Sequence, residues 1–383
     1  MDQRARFIRE WESAQRSVAE LCGEYGISRT VGYKWIRRFR EDGVEGLRDR
    51  SRRPLSSPNA TSAAMIEHIV AMRMKHPSWG GRKIARTLVR QGVRSVPQPS
   101  TVDNVLARIG FTRKRRRRHR PGHPGRPMIT PSAPNDLWTA DFKGHFRLRN
   151  SRYCYPLTVA DQFSRFLFTC RGLHSTEHDG VRREFERLFR EYGLPAAIRT
   201  DNGGPFASTG LARLSRLSVW WIKLGIHPEL TELASPQQNS VHERMHRTLK
   251  AEATRPPAAN GVIQQRKFNR FRTIYNDERP HEALNLETPA SVYTSSTRPY
   301  PQHIAGPEYP GHFEVRCVST NSGIRWDSQW INVSSILAGE YVGLEPVDDG
   351  KWLVYFYGYL IGRLNERRRY VESIFAAREH ERP

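Results

Sequence analysis

Residues 137–142, LWTADF, place the carboxylate of Asp141 inside a short apolar run that predicts a buried strand. Two further strand-like segments follow at 153–160 and 165–171. The next segment repeats apolar residues at the spacing of one helix face: Val181, Phe185, Leu188, Phe189 and Tyr192. A short strand, AAIRT, then ends at Asp201, and a helix from about Asn239 carries Glu243. Three strands, a helix, a strand and further helices are the order expected of an RNase H-like α/β layer.

The carboxylates Asp141, Asp201 and Glu243 lie 60 and 42 positions apart, each on a different predicted element. Carboxylates on a rigid scaffold can hold two divalent ions about 3.5–4 Å apart, as phosphodiester chemistry requires. Mg²⁺ prefers such oxygen ligands. We therefore predict these three residues as catalytic residues and as ligands of Mg²⁺ or Mn²⁺, with two ions.

Other acidic residues compete for these positions. Glu229 and Glu232 lie in a loop-like segment, PELTELASP, that offers no rigid platform, and Glu252 falls late on the helix that carries Glu243. Asp161, in VADQFSRF, competes with Asp141 only weakly, and we interpret it as holding a strand turn.

The charge of the chain indicates an anionic partner. In 383 residues, Lys and Arg number 62 against 39 acidic residues, a net charge of +23. Double-stranded DNA is the first candidate. No stretch approaches the roughly 20 apolar residues that span a membrane, and no secretion signal is visible. The four cysteines form no CxxC pair. We expect no membrane partner and a cytoplasmic protein bound to DNA.

Residues 1–53 predict three short helices in a helix-turn-helix arrangement, with Gly26 in the turn and Ser28 capping the third helix. Val31, Trp35 and Phe39 form the expected buried stripe, and Gly32 is a local weakness of about 1 kcal/mol relative to Ala. The other face predicts DNA contacts from Arg29, Thr30, Tyr33, Lys34 and Arg37. An ordinary three-helix bundle with a solvated basic face is the alternative.

A second helical unit is predicted over 60–111, either another helix-turn-helix-like DNA-binding module or a packing spacer. Its apolar positions at helical spacing are Met65, Ile69, Met72, Ile84, Leu88, Val102, Val105, Leu106 and Ile109. The basic linker 112–134 follows. Its expected phosphate contacts are Arg113, Lys114, Arg115, Arg116, Arg117 and Arg118.

Short strands at regular spacing over 310–372 predict a small C-terminal β-barrel, SH3-like in kind. Its arginine-rich end, Arg363 and Arg367–Arg369, either touches DNA or is a solvated tail. The whole chain is thus expected to be a multidomain α+β protein with an RNase H-like core over 135–295.

Several motifs together resemble one family. The segments DFKGHF, VADQFSRF, IRTDNGGPFAS, HERMHRTLK and YNDERPHEALN are similar to signatures of bacterial insertion-sequence transposases with a retroviral-integrase-type DDE core. The resemblance implies Mg²⁺ or Mn²⁺ dependence, action on the ends of a mobile element, and a homo-multimer on DNA. It assigns the three acidic positions to Asp141, Asp201 and Glu243.

The same resemblance extends to the residues around Glu243. Pro236, Gln238 and Asn239 match the loop before the glutamate helix, and Gln238 and Asn239 are expected to contact DNA. In the helix, His242, Arg244, Arg247 and Lys250 are expected to face DNA or to support the site. The sequence departs from the family at Ser240, where Gly is usual, and at Gly204, where Pro is frequent.

Two functions follow as hypotheses. The first is a DNA transposase that cleaves the ends of a mobile element and transfers the strands into target DNA. The second is a catalytically silent DNA-binding repressor derived from a transposase.

The gap from Asp201 to Glu243 is longer than usual for the family, and we interpret LARLSRLSVWWIKLG as an inserted helix.

Overall fold

The computed structural model describes residues 2–50, 60–112, 128–232, 238 and 240–374, in two compact units, Met1–Thr61 and Ser62–Pro383. In the first unit the helices are α1 (Asp2–Glu12), α2 (Val18–Glu24) and α3 (Arg29–Asp42). Ser28 caps α3, since its hydroxyl accepts a hydrogen bond from the backbone N–H of Val31 at 3.4 Å. Gly26 has a φ of +63° in the preceding turn. The predicted three helices are confirmed.

The buried face of α3 differs from the prediction. Gly32 and Ile36 are its buried residues, whereas Val31 is only partly buried and lies outside the apolar cluster of this unit. A Cβ added at Gly32 would collide with Cys22 Sγ. The glycine is therefore where α2 and α3 approach most closely, and its cost in helix propensity is offset by this packing.

The second unit begins with α4 (Ala63–Lys75), α5 (Gly81–Arg90) and α6 (Pro99–Arg108). The predicted apolar residues form their shared core, with one exception. Ile109 is 46% exposed, because it lies at the C-cap of α6. Ile274 packs against this helical core from the rest of the unit, so the three helices are docked.

A mixed sheet forms the centre of the second unit. Its strands are β1 (Leu137–Phe142), β2 (Phe146–Arg147), β3 (Tyr153–Asp161), β4 (Leu167–Leu173), β5 (Ala197–Thr200) and β6 (His227–Leu230). The main order is β4-β3-β1-β5-β6. Strand β3 runs antiparallel to both of its neighbours, β1 and β4, while β5 runs parallel to both β1 and β6. The short β2 pairs with β3.

Helices cover this sheet. They are α7 (His178–Tyr192), α8 (Arg216–Lys223), α9 (Ser240–Leu249), α10 (Gly261–Thr273) and α11 (Pro289–Val292). The predicted inner residues Val181, Phe185, Leu188 and Phe189 of α7 are fully buried against β1 and β3. Met245 and Leu249 of α9 belong to a second cluster with residues of β3, β4 and α10.

Two sequence interpretations of this region are wrong. Part of the supposed loop PELTELASP is strand β6, which pairs with β5 from His227 to Leu230. The helix α8 is the crossover between these two parallel strands, which cannot be joined by a tight turn, and so it is no insertion.

The C-terminal region is rich in strands, as predicted. They are β7 (Glu314–Cys317), β8 (Gly323–Trp326), β9 (Gln329–Asn332), β10 (Tyr341–Asp348), β11 (Lys351–Phe356), β12 (Tyr359–Asn365) and β13 (Tyr370–Ser373). Five form an open antiparallel sheet in the order β13-β12-β11-β10-β7, while β8 and β9 pair separately. Within the described residues no strand pairing closes this sheet, so the SH3-like barrel is not confirmed.

The C-terminal sheet packs on the crossover helix. Val219 and Ile222 of α8 belong to its apolar cluster, and Lys223 Nζ lies 2.6 Å from Glu340 Oε1. Among the described helices, none is long and apolar enough to cross a bilayer.

Candidate functional site

The three predicted carboxylates come from adjacent elements. Asp141 is in the central strand β1, and Asp201 follows the last residue of β5. The parallel register pairs Thr139 with Arg199, so two residues further along Asp141 and Asp201 reach the same level of the sheet. Glu243 is exposed in the first turn of α9, which packs against β1.

The pKa of Asp141 responds to the charges of the other two carboxylates. Burial and then the negative charge of Asp201 raise the pKa of Asp141 to about 7, and the charge of Glu243 acts in the same direction. Lys143 and the backbone N–H of Phe142 oppose the shift. Like charges converging on a carboxylate whose side chain is only 21% exposed create a site that suits a cation. Oxygen donors of this kind fit Mg²⁺ or Mn²⁺.

Backbone groups fix the loop that holds Asp201. Its Oδ1 accepts a hydrogen bond from the N–H of Gly203 at 3.1 Å. The next side chain, Asn202, donates to the carbonyl of Thr231 just past β6 and accepts from Arg213 at 3.3 Å. Gly204 has no neighbouring heavy atom that an added Cβ would meet, so the departure from the family pattern leaves open space beside the site.

Beneath Glu243, α9 presents two histidines to the sheet. His242 is 1% exposed and His246 is 5% exposed. His242 Nδ1 lies 2.9 Å from Thr139 Oγ1, and the Nε2 atoms of His242 and His246 lie 2.6 and 2.7 Å from Thr158 Oγ1. His246 Nδ1 faces Asp141 Oδ2 at 3.6 Å. Asp141, His242 and His246 form a group whose ligand atoms all lie within 4.8 Å of one another.

Burial keeps both imidazoles neutral. It lowers the pKa of His242 to about 3, and it lowers the pKa of His246 further, with His242 adding to the effect. Of the two roles expected for His242, facing DNA or supporting the site, its position fits the second, because the side chain points into the sheet. Both histidines anchor the helix that carries Glu243.

Two of the three competing glutamates, Glu229 and Glu252, have partners elsewhere. Glu229 Oε2 accepts a hydrogen bond from Arg199 Nε at 2.7 Å, and this pair is largely buried. Glu252 lies in a π-helical segment after α9, where it accepts from Arg279 at 3.2 Å and from Ser78. Of these glutamates and Glu243, only Glu243 is among the charges that shift the pKa of Asp141.

Asp161 has the structural role that the sequence suggested. Its Oδ2 accepts from the backbone N–H and the hydroxyl of Ser164, each at 2.7 Å, and its Oδ1 accepts from the N–H of Asn135 at 2.8 Å. These bonds hold the turn between β3 and β4.

The predicted DNA-contacting residues fall into three groups. On α3 the side chains of Arg29, Thr30, Tyr33, Lys34 and Arg37 are all exposed, as are Arg244, Arg247 and Lys250 near Glu243. Gln238 is half-buried, and its Oε1 accepts a hydrogen bond from the N–H of Glu232 at 2.7 Å. The remaining positions, Asn239 and residues 113–118, lie outside the described residues.

Sequence reasoning missed the roles of Thr139, Thr158 and His246. The spacing of His242 and His246, four positions apart, puts both on one helix face and was a usable signal. The two threonines carry no such signal, since a hydroxyl in a strand is ordinary.

Several segments of the chain match known domain families. Residues 3–54 match the Helix-turn-helix domain family, 31–106 the Homeodomain-like domain family, and 131–236 and 224–289 two families described as Integrase core domain. The chain is 27% identical over 300 residues to the insertion element IS476 uncharacterized 39.2 kDa protein of Xanthomonas euvesicatoria, covering 78% of this chain and 84% of that protein.

Two further relatives are similar to shorter parts of the chain. The insertion element IS407 uncharacterized 31.7 kDa protein of Burkholderia multivorans is 25% identical over 237 residues, which cover 61% of this chain and 82% of that protein. The Gag-Pol polyprotein of baboon endogenous virus is 30% identical over 138 residues, which are 35% of this chain and 7% of that one.

The chain thus combines helix-turn-helix domains with an integrase core domain built on a mixed sheet. It is homologous to proteins of bacterial insertion elements, and part of it is similar to a retroviral Gag-Pol polyprotein.

Proposed function

We propose that this protein is a DDE-type DNA transposase, which cleaves the ends of a mobile element and joins them to target DNA. The observation that carries the proposal is geometric: Asp141 and Asp201 lie at the same level of adjacent parallel strands, and Glu243 lies on the helix that packs against β1. Burial, and then the charges of Asp201 and Glu243, raise the pKa of Asp141 to about 7. A basic chain of net charge +23 and homology to insertion-element proteins support a DNA substrate.

In this proposal Asp141, Asp201 and Glu243 are the metal ligands of an RNase H-like core. Two divalent ions, Mg²⁺ or Mn²⁺, would supply charge neutralisation at the attacking and leaving oxygens of the phosphodiester. Asp141, in the rigid middle strand, sets the position of the site, while exposed Asp201 and Glu243 approach it from β5 and α9. Because the nucleophile is a water or a DNA 3′-hydroxyl, no covalent enzyme intermediate is required.

The remaining parts of the chain are assigned roles in the same proposal. Residues 1–53 and 60–111 are DNA-binding domains, 112–134 is a basic linker, 135–295 is the catalytic core, and 310–372 is a C-terminal domain of SH3-like kind. Exposed Arg247 and Lys250 on and after α9 would bind DNA beside the carboxylates. The protein would act as a homo-multimer on paired element ends, in the bacterial cytoplasm at the nucleoid.

Transposition of a marker flanked by this gene's own neighbouring DNA tests the proposal. Wild type should move the marker, and Glu243→Gln and Asp201→Asn should not, although both retain binding to the flanking DNA. Glu186→Gln, on the far helix α7, is the matched control and should behave as wild type. Equal activity of wild type and both site variants would refute the assignment. A wild type that binds the flanks but moves nothing would favour the alternative, a catalytically silent repressor.

A further inference from the structure

The hydroxyl of Thr158 has three polar neighbours: the carbonyl of Asp141 at 3.0 Å, His242 Nε2 at 2.6 Å and His246 Nε2 at 2.7 Å. A hydroxyl donates one hydrogen bond and accepts two. The carbonyl can only accept. All three contacts are therefore satisfied only if Thr158 donates to Asp141 and both imidazoles donate their Nε2–H to Thr158.

With its Nε2 against the hydroxyl of Thr158, the ring of His246 has Nδ1 available to another partner. His242 Nδ1 lies 2.9 Å from the hydroxyl of Thr139, which also donates to the carbonyl of Ala160 at 3.3 Å, so both nitrogens of His242 face threonine hydroxyls. His246 Nδ1 instead faces Asp141 Oδ2, 3.6 Å away.

His246 Nδ1 and Asp141 Oδ2 are both possible ligand atoms for a cation, and they face each other. The separation of 3.6 Å is long for a hydrogen bond. Two ligands that each lie about 2.1 Å from one ion stand roughly 3.0–3.4 Å apart. The pair is therefore within a few tenths of an ångström of the spacing that a shared divalent cation requires.

We propose that His246 Nδ1 is a nitrogen ligand, beside the carboxylates, of the divalent ion held by Asp141. The inference rests on the proposed function, since it adds a ligand to that metal site. His242 is not the ligand, because both its nitrogens face threonine hydroxyls. Thr158 positions the ring of His246 by accepting its Nε2–H. Imidazole suits transition-metal ions, whereas Mg²⁺ takes oxygen ligands, so this histidine favours a transition-metal ion over Mg²⁺.

Pulsed electron paramagnetic resonance of the full-length protein with Mn²⁺ tests this directly. Wild type should give a ¹⁴N hyperfine coupling that is replaced by a ¹⁵N coupling when its histidines are ¹⁵N-labelled. His246→Gln keeps an amide N–H for Thr158 but removes Nδ1, so the coupling should vanish. Its Mn²⁺ affinity should fall about tenfold while its Mg²⁺ affinity changes less. His242→Gln is the matched control, and it should keep the coupling.

The outcomes separate this inference from the proposed function. Stoichiometric Mn²⁺ binding without histidine coupling in labelled wild type would overturn the nitrogen ligand alone, and this arm needs no variant to fold. Coupling that persists in His246→Gln and disappears in His242→Gln would also overturn it. If Asp201→Asn and Glu243→Gln left Mn²⁺ binding unchanged while the coupling remained, His246 would stand and the carboxylate site would be refuted. Wild type that binds no Mn²⁺ would refute both.

Discussion

Arg199 and Glu229 form a largely buried ion pair between the parallel strands β5 and β6, with Nε 2.7 Å from Oε2. Arg199 also donates to the carbonyls of Ile129 at 2.7 Å and Gln238 at 3.4 Å. The guanidinium thus links three parts of the chain. They are the segment before β1, the segment before α9, and strand β5, which Asp201 directly follows.

This pair predicts different consequences for two glutamates that the sequence alone left in competition. Glu229→Gln leaves Arg199 buried without its counter-charge, so the free energy of unfolding should drop by about 3 kcal/mol or more. Glu243→Gln changes an exposed side chain and should leave stability nearly unchanged while weakening metal binding. Thermal unfolding in EDTA and calorimetric titration with Mn²⁺ measure the two effects. The reverse pattern would show that Glu229 is the metal ligand.

Asp141 should reduce the stability of the metal-free fold at neutral pH. Its pKa is about 7 in the folded protein, above the ordinary value of 3.8, so the folded state holds the proton more tightly. Stability therefore falls as pH rises from about 4 to about 7, and the penalty is complete above pH 7. Asp141→Asn removes the charge and should stabilise the protein at pH 8, by at most about 4 kcal/mol.

The measurement is the difference in thermal midpoint between Asp141→Asn and wild type, in EDTA, at pH 8 and at pH 5. The gain should shrink at pH 5, where wild type is mostly protonated at this position. Val159→Ala, in the adjacent strand β3, serves as a fully buried control that changes no charge and no side-chain hydrogen bond. A destabilised asparagine variant at pH 8 would contradict the electrostatic account of the site.

The sequence predicted the elements whose apolar residues repeat at a regular period. Strand β1 and helix α7 are such elements, and the carboxylate of Asp141 followed from the first of them. Strand β6 was missed because HPEL contains Pro228 and Glu229, which oppose a strand locally. The charge of Glu229 is balanced by Arg199, a partner 30 positions earlier that no local pattern reveals.

The orientation of the two histidines in the candidate site could not be predicted from the sequence, for a similar reason. Whether His242 and His246 face DNA or the sheet depends on how α9 packs, and the periodicity of HERMHRTLK alone does not decide it. The hydrogen bonds to Thr139 and Thr158 settle the orientation in the structure. Polar networks of this kind arise from tertiary contacts, so they are visible only once the sheet is assembled.

Gly32→Ala should destabilise the first unit, although alanine is the better helix former. The new Cβ would collide with Cys22 Sγ, and overpacking of this kind costs about 1–3 kcal/mol. The gain in helix propensity is about 1 kcal/mol. Hydrogen exchange of the α2 and α3 amides in the full chain reports the net effect. Cys22→Ala in the same chain should relieve the collision, and failure of this rescue would exclude it as the cause.

Ion pairs should hold the α4–α6 helices on the rest of the second unit. Lys75 Nζ lies 2.9 Å from Glu278 Oε2, Arg82 Nη1 lies 3.5 Å from Glu282 Oε2, and Arg86 contacts Glu287. These side chains are partly exposed, so each pair contributes about 0.2–1 kcal/mol and weakens with salt.

A charge swap at one pair measures this contribution. Glu287→Arg alone should increase the proteolytic sensitivity of the α4–α6 region, because it places two arginines together, and Arg86→Glu in the same chain should restore resistance. Arg90→Glu is the matched control, because Arg90 is exposed on the same helix as Arg86. It makes the same change of charge at a position that does not form the pair with Glu287. Equal sensitivity of the single and double variants would mean that the Arg86–Glu287 pair does not help to hold the helices.

The basic linker should dominate the salt dependence of DNA binding. Each phosphate contact contributes about 0.9 to the slope of log affinity against log salt concentration. Replacing Arg113, Lys114 and Arg115–Arg118 with glutamine should therefore reduce the slope by several units, up to about 5 if all six contact phosphates. Arg37→Ala on α3 should lower it by about 1 and also weaken discrimination between flanking and unrelated DNA. Fluorescence anisotropy over a series of salt concentrations measures both, and an unchanged slope in the linker variant would rule out phosphate contacts from these six residues.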